Sequence, residues 1–194
     1  MVRGLGGRRL KPRGVVSRLA RPLVMNARMA LVVLATSLAG CGGRTHAQEE
    51  GCYALVPVRP TGILRDECQL LADAAANLGA RLTRSGDVVE LDFRFSSPSQ
   101  GALLDVSMAG QFSYDEEIFS ADGTASNVLL PIQGQACQID LVDVHLDATS
   151  DAADPSRFSG LIRINTFTFR PETCVCQAWF EYQASLSNSG SACP

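Results

Sequence analysis

Apolar and polar residues alternate along most of the second half of the chain, and that period of two predicts strands. Tyr53–Val58 reads as a first strand, with Pro57 suggesting an edge position. The spacing then lengthens: Leu64, Cys68, Leu71, Ala75 and Leu78 recur every three or four residues, which predicts one short helix ended by Gly79. From Ala80 the period of two returns. Arg81–Arg84, the turn Ser85-Gly86-Asp87 and Val88–Phe95 predict a hairpin with Leu91, Phe93 and Phe95 on one face and Asp92 and Arg94 on the other. Further strands are expected at Leu103–Met108, Val128–Ile132, Cys137–Leu146, Phe158–Phe169 and Gln177–Leu186. Clusters such as Ser96-Ser97-Pro98-Ser99 and Ala121-Asp122-Gly123 are expected to separate them. The expected fold is mainly β: a disulfide-stapled β-sandwich or partly closed barrel of about eight strands with one N-terminal helix.

Charge divides the chain in two. The net charge of −3 over 194 residues conceals a basic N-terminal stretch. Residues 1–48 carry nine basic residues (Arg3, Arg8, Arg9, Lys11, Arg13, Arg18, Arg21, Arg28, Arg44) and no acid. Beyond Cys41 stand nine arginines against twenty acids, a net of −11. So acidic a body repels phosphate backbones, which argues against nucleic acid as a partner.

Within the basic stretch, Met29–Leu38 is a ten-residue apolar run followed by small residues. At ~1.5 Å per residue it is too short for a ~30 Å hydrocarbon core, and it has the layout of a signal peptide. Leu38-Ala39-Gly40-Cys41 resembles the lipobox of bacterial lipoproteins. That resemblance covers about twenty residues. It implies that the Cys41 thiol receives a diacylglycerol, that cleavage leaves Cys41 as the new N-terminus, and that acyl chains such as palmitate hold the protein in a membrane. The expected organisation is a signal peptide over 1–40, a lipidated tether over 41–51 and one β-rich domain over 52–194. Translation from Met25 would place 1–24 upstream of the true start. Two other readings of the leader stand beside this one. Cleavage after Thr45-His46-Ala47 would give a soluble secreted protein beginning at Gln48, and the Arg-rich N-terminus also has features of a mitochondrial transit peptide.

The seven cysteines bear on the same question. With Cys41 as lipid acceptor, six remain: Cys52, Cys68, Cys137, Cys174, Cys176 and Cys193. Six suit three disulfides in an oxidising compartment. Metal binding at Cys174-Val175-Cys176 is the rival reading, but the spacing is not that of paired zinc ligands and the chain has only two histidines. A bond between Cys174 and Cys176 is unfavourable in extended backbone. Cys52 and Cys68 are expected to pair locally, a loop of about fifteen residues whose closure is worth roughly 3 kcal/mol.

The domain carries no nucleophile elbow, zincin, P-loop or dinucleotide motif, and His145 is its only histidine. Asp143-Val-His145-Leu-Asp147 places its three polar residues on one strand face. The two Asp lie ~13 Å apart along the backbone, too far to share an ion without a bulge, so a solvated outer face is the plainer reading. Asp147, Asp151 and Asp154 crowd one loop with hard oxygen donors of the kind Ca²⁺ accepts; no other cofactor is expected. Along the last strand Ala178, Phe180, Tyr182 and Ala184 form the apolar side, which turns Trp179 outward with Gln177 and Glu181. An indole among amides and a carboxylate suits a sugar or a peptide, whereas packing beneath a loop or the helix is the structural alternative. These features lead to a lipid-anchored envelope protein, expected at the outer membrane, with a non-catalytic binding or scaffolding domain for an envelope glycan or protein. An envelope hydrolase using carboxylates or a bound cation is the second reading.

Overall fold

The computed structural model describes residues 48–113, 117–169, 174–187 and 193. The leader, Cys41 with its lipobox, and tether residues 41–47 lie outside the described residues. Nine strands follow one another: β1 Gly51–Pro57, β2 Ile63–Asp66, β3 Asn77–Ser85, β4 Val88–Ser97, β5 Ala102–Phe112, β6 Ile118–Ile132, β7 Gln135–Ser150, β8 Arg157–Phe167 and β9 Gln177–Leu186. Every pairing is antiparallel, from β1 through β3, β4, β5, β6, β7 and β8 to β9. β1 and β9 then pair with each other, so the sheet is a closed eight-strand barrel rather than a sandwich. β2 is the ninth strand. It takes over from β1 along β9, with Ile63 opposite Phe180 and Arg65 opposite Trp179. Closure removes the exposed edges that an open sheet would present.

The expected helix at Leu64–Leu78 is not formed. Asp66 turns its carboxylate onto the backbone N–H groups of Leu70 and Leu71, at 2.9 and 3.0 Å, and Gln69 has a positive φ of 56°. These contacts favour tight turns over a continuous ladder. At its two ends, the segment is taken by β2 and β3. Leu64 points outward from β2, while Gly79 sits within β3 between Ala54 and Arg94 instead of ending a helix. Of the spaced residues Cys68, Leu71 and Leu78 are buried, together with Leu70, by folding the chain back on itself, while Leu64 and Ala75 are exposed.

The hairpin around Gly86-Asp87 forms as expected, and Leu91, Phe93 and Phe95 face the interior. Ala121-Asp122-Gly123 does not separate strands; it lies inside β6, paired with Leu146, His145 and Val144 of β7. Gly123 fits there because a Cβ would come within 2.5 Å of the Ser107 carbonyl oxygen on β5.

The 15-residue β6 and the 16-residue β7 are longer than the alternation alone suggests, since both reverse their inward face midway. Phe119 and Ala121 point inward before Asn127, which has a φ of 58°; Leu130 and Ile132 do so after it. On β7, Cys137 and Ile139 give way to Val142, Val144, Leu146 and Ala148. Beyond this switch neither β5 nor β8 accompanies the hairpin. Its far half bends over one end of the barrel, where Gln133 donates to the Glu67 carbonyl oxygen at 3.1 Å.

At the opposite end the core is aromatic. Phe158 packs against Tyr53, Phe119 and Tyr182 with ring centroids 4.8, 5.3 and 5.9 Å away. The Tyr53 hydroxyl accepts from Gln48 at 2.7 Å and donates to the Glu49 carbonyl oxygen at 2.7 Å; burial pushes its pKa up to about 12.

Three disulfides staple the barrel: Cys52–Cys193, Cys68–Cys176 and Cys137–Cys174. The expected Cys52–Cys68 pair does not form. Extended β1 and β2 carry those two cysteines to opposite ends of the barrel, and each finds a partner at its own end. Cys174 and Cys176, as their spacing implies, bond to two different elements.

Candidate binding face

Closure of the barrel leaves the outward residues of β7, β8 and β9 as a broad curved face crossed by rows in register. One row runs Asp122, His145, Arg163, Trp179, Arg65 across β6, β7, β8, β9 and β2. To one side lies Ser120, Asp147, Leu161, Glu181; to the other, Thr124, Asp143, Asn165, Gln177. Residues far apart in sequence thus become nearest neighbours.

His145 stands between two carboxylates. Its Nδ1 is 2.5 Å from Asp122 Oδ1 and its Nε2 is 3.0 Å from Asp147 Oδ1. Two acceptors require both ring nitrogens to donate, so the arrangement favours the imidazolium. Partial burial by itself would lower the His145 pKa, but the bonds to Asp122 and Asp147 outweigh it and the pKa is raised. For Asp147 burial alone would raise the pKa; the Arg163 guanidinium, 2.5 Å from Oδ2, and His145 reverse this and hold it below the usual carboxylate range.

Trp179 is half-buried. Arg65 lies over its ring at 5.1 Å from the centroid, a cation–π contact, and the indole N–H donates to Asn165 Oδ1 at 3.3 Å. Arg65 is itself held by Gln177 and by Glu67, at 3.2 Å. The indole therefore turns outward with Gln177 and Glu181, as the alternation predicts, but Arg65 covers one of its faces. It is a braced platform, not a bare one.

Beside this row a groove of about 500 Å³ crosses β7, β8 and β9. Its floor is main chain at Gly160, where a Cβ would stand 1.9 Å from the Asp147 carbonyl oxygen. Thr149, Ser159, Gln183, Asp147 and Glu181 supply polar groups, and Val58, Leu64 and Leu161 apolar walls. Further along, a second depression of about 290 Å³, bordering the first at Thr149, Ser159 and Gln183, is lined by Asp151 and Arg157.

Asp147, Asp151 and Asp154 do not converge. Asp147 faces His145 and Arg163; Asp151 accepts from the Ala153 N–H at 2.9 Å; Asp154 accepts from Ser156 and pairs with Arg157 at 3.2 Å. Among the described residues no three His, Cys, Asp or Glu are grouped to hold a metal ion.

Asp122 and Arg163 were not singled out from the sequence. Asp122 sits in a stretch with turn composition, and its partnership with His145 follows from a 23-residue register that no local pattern encodes. Gly160, likewise, shows its importance only where β7 and β8 meet.

Fold and face together define a disulfide-stapled antiparallel β-barrel with a grooved, polar-aromatic outer surface. No family model, curated protein or solved structure matches the chain.

Proposed function

We propose that this protein is a lipid-anchored component of the bacterial cell envelope, held at the outer membrane through Cys41, whose barrel binds an envelope glycan. Residues 42–47 serve as the tether, shorter than the 41–51 expected because Gln48 and Glu49 bond to the barrel and Gly51 opens β1, and the groove above Gly160 with Trp179, Gln177 and Glu181 is the binding face. One observation carries the reading: hydroxyls, amides and carboxylates line a groove beside an indole braced by Arg65. Such donors and acceptors match sugar hydroxyls, and an indole already held in place offers apolar contact to a sugar at little entropic cost. Binding is favoured over hydrolysis because Asp147 is committed to His145 and Arg163 and held ionised, unsuited to act as a general acid.

Two measurements test it. Cys41→Ser should abolish detergent-phase partitioning of the mature protein; unchanged partitioning with an N-terminus at Gln48 refutes the anchor. Co-sedimentation with purified peptidoglycan and with outer-membrane polysaccharide should fall at least tenfold for Trp179→Ala and Glu181→Gln. Equal sedimentation of the parent and both variants refutes the face.

A further inference from the structure

The outward row beyond Gln177 changes character. Leu141 on β7 and Phe167 on β8 are opposite each other in register and are 36% and 50% exposed. Two residues past Phe167, Phe169 is 92% exposed. Its position is set: the Phe169 N–H donates to Asp140 Oδ2 at 2.9 Å.

The platform beneath is cross-linked. Thr166, the residue before Phe167, is buried, accepts from the Cys176 N–H at 2.8 Å and donates to the Cys174 carbonyl oxygen at 2.9 Å. Cys174 and Cys176 are disulfide-bonded to Cys137 and Cys68. Three large apolar side chains are thus displayed on a support that loses little freedom when covered, and such preorganisation is what a docking surface needs.

Charge and position select the occupant. Asp140 and Asp143 flank Leu141, and the sequence beyond Cys41 has a net charge of −11. A second copy would bring like charges against the patch, and an anionic membrane would be repelled. β8 leads away from the end where the chain enters the barrel, marked by the bond from the Glu49 N–H to the Pro155 carbonyl oxygen. At ~3.3 Å per residue Phe167 lies about 33 Å along β8 from Arg157, at the end of the strand remote from Pro155 and Glu49.

We infer that Leu141, Phe167 and Phe169 form a docking surface for a protein segment that presents apolar side chains flanked by lysine or arginine. The surface is separate from the groove above Gly160, so it stands if glycan binding fails.

The full chain carrying Cys41→Ser, which leaves no acyl group to compete for the patch, serves for the test. The probes are fluorescein-labelled peptides that alternate leucine or phenylalanine with lysine, with glutamate or with serine. Fluorescence anisotropy should show the lysine peptide binding at least tenfold tighter than the glutamate peptide, with affinity falling as salt rises. Phe169→Asp should weaken the lysine peptide at least tenfold and Phe169→Ala by a smaller factor, while Leu103→Asp, at another exposed apolar position, should leave it unchanged. Far-ultraviolet circular dichroism confirms that each variant is folded; should Phe169→Asp fail that check, Phe169→Ala decides. Equal binding by parent and Phe169 variants overturns the inference, as does preference for the glutamate peptide. A concentration-dependent dimer abolished by Phe169→Asp assigns the patch to a second copy, and flotation with phosphatidylglycerol vesicles abolished by the same change assigns it to a membrane; either overturns it.

Discussion

Replacing Gly160 by alanine should be among the most damaging single-methyl changes in this barrel. The added Cβ would lie 1.9 Å from the Asp147 carbonyl oxygen and 2.9 Å from the Ala148 Cα. An ordinary C···O contact needs about 3.3 Å, so β7 and β8 would have to separate by about 1.4 Å, over a quarter of the ~4.8 Å between paired strands. The pairs Asp147 with Leu161, Ala148 with Gly160, and Thr149 with Ser159 lie across that opening. Two or three ladder hydrogen bonds at ~1 kcal/mol each, together with the strain of overpacking, give a loss of about 3 kcal/mol. Urea unfolding with the disulfides intact, followed through Trp179, should show a lower midpoint and an unchanged slope. Ser159→Ala, an outward change on the same strand, serves as the control and should shift stability by less than about 0.5 kcal/mol. If Gly160→Ala costs less than about 1 kcal/mol, β7 and β8 do not meet as closely as described and the groove floor is wrong.

Other predictions follow from the staples, the histidine and the aromatic core. Non-reducing digestion should yield Cys52–Cys193, Cys68–Cys176 and Cys137–Cys174 peptides, and alkylation without reductant should label no thiol of the mature domain; a Cys52–Cys68 peptide refutes the topology. The His145 ring resonance, one of only two from histidine, should titrate above the ordinary value of about 6.5, and Asp122→Asn should bring it down. Because the folded-state pKa is raised, the stability His145 adds is complete below about pH 6.5 and is lost as pH rises through the folded value. Asp147, shifted the other way, adds stability that is lost as pH falls through its depressed pKa. Denaturation of the parent and of His145→Gln across pH 5–9 checks the first of these; parallel curves refute it. Phe158→Ala, at the meeting point of Tyr53, Phe119 and Tyr182, should cost about 3–5 kcal/mol by urea unfolding, and a loss below about 1.5 kcal/mol contradicts the packing.

What the sequence conveyed was the local part. Period-two alternation placed β9 from Gln177 to Leu186 and set Leu91, Phe93 and Phe95 on the inside of β4. It also turned Trp179 outward. It misread Leu64–Leu78, where a helical spacing arises from turns held by the Asp66 carboxylate, an interaction invisible to periodicity. It broke β6 at Ala121-Asp122-Gly123 because turn composition and close strand approach both call for glycine. The barrel itself depended on β1 meeting β9 across more than a hundred residues, which alternation does not specify. The site was legible in the same proportion: Trp179, Gln177 and Glu181 share a strand and were found together, whereas Asp122, Arg163 and Arg65 reach His145 and Trp179 only through register.

The Cys52–Cys193 bond would have a mechanical consequence if the barrel were pulled from its N-terminal side. Tension from that side would first meet Gln48 and Glu49, bonded to Tyr53 and Pro155, and then Gly51, the first residue of β1, from where it would otherwise unzip β1 from β3 and β9 one pair at a time. Cys52 is the next residue, and it is covalently joined to a cysteine that follows β9, the strand on β1's other side. Peeling stops after a single residue. From there the load would be shared between β1 and the segment that follows β9, instead of being carried by the β1 hydrogen bonds one after another.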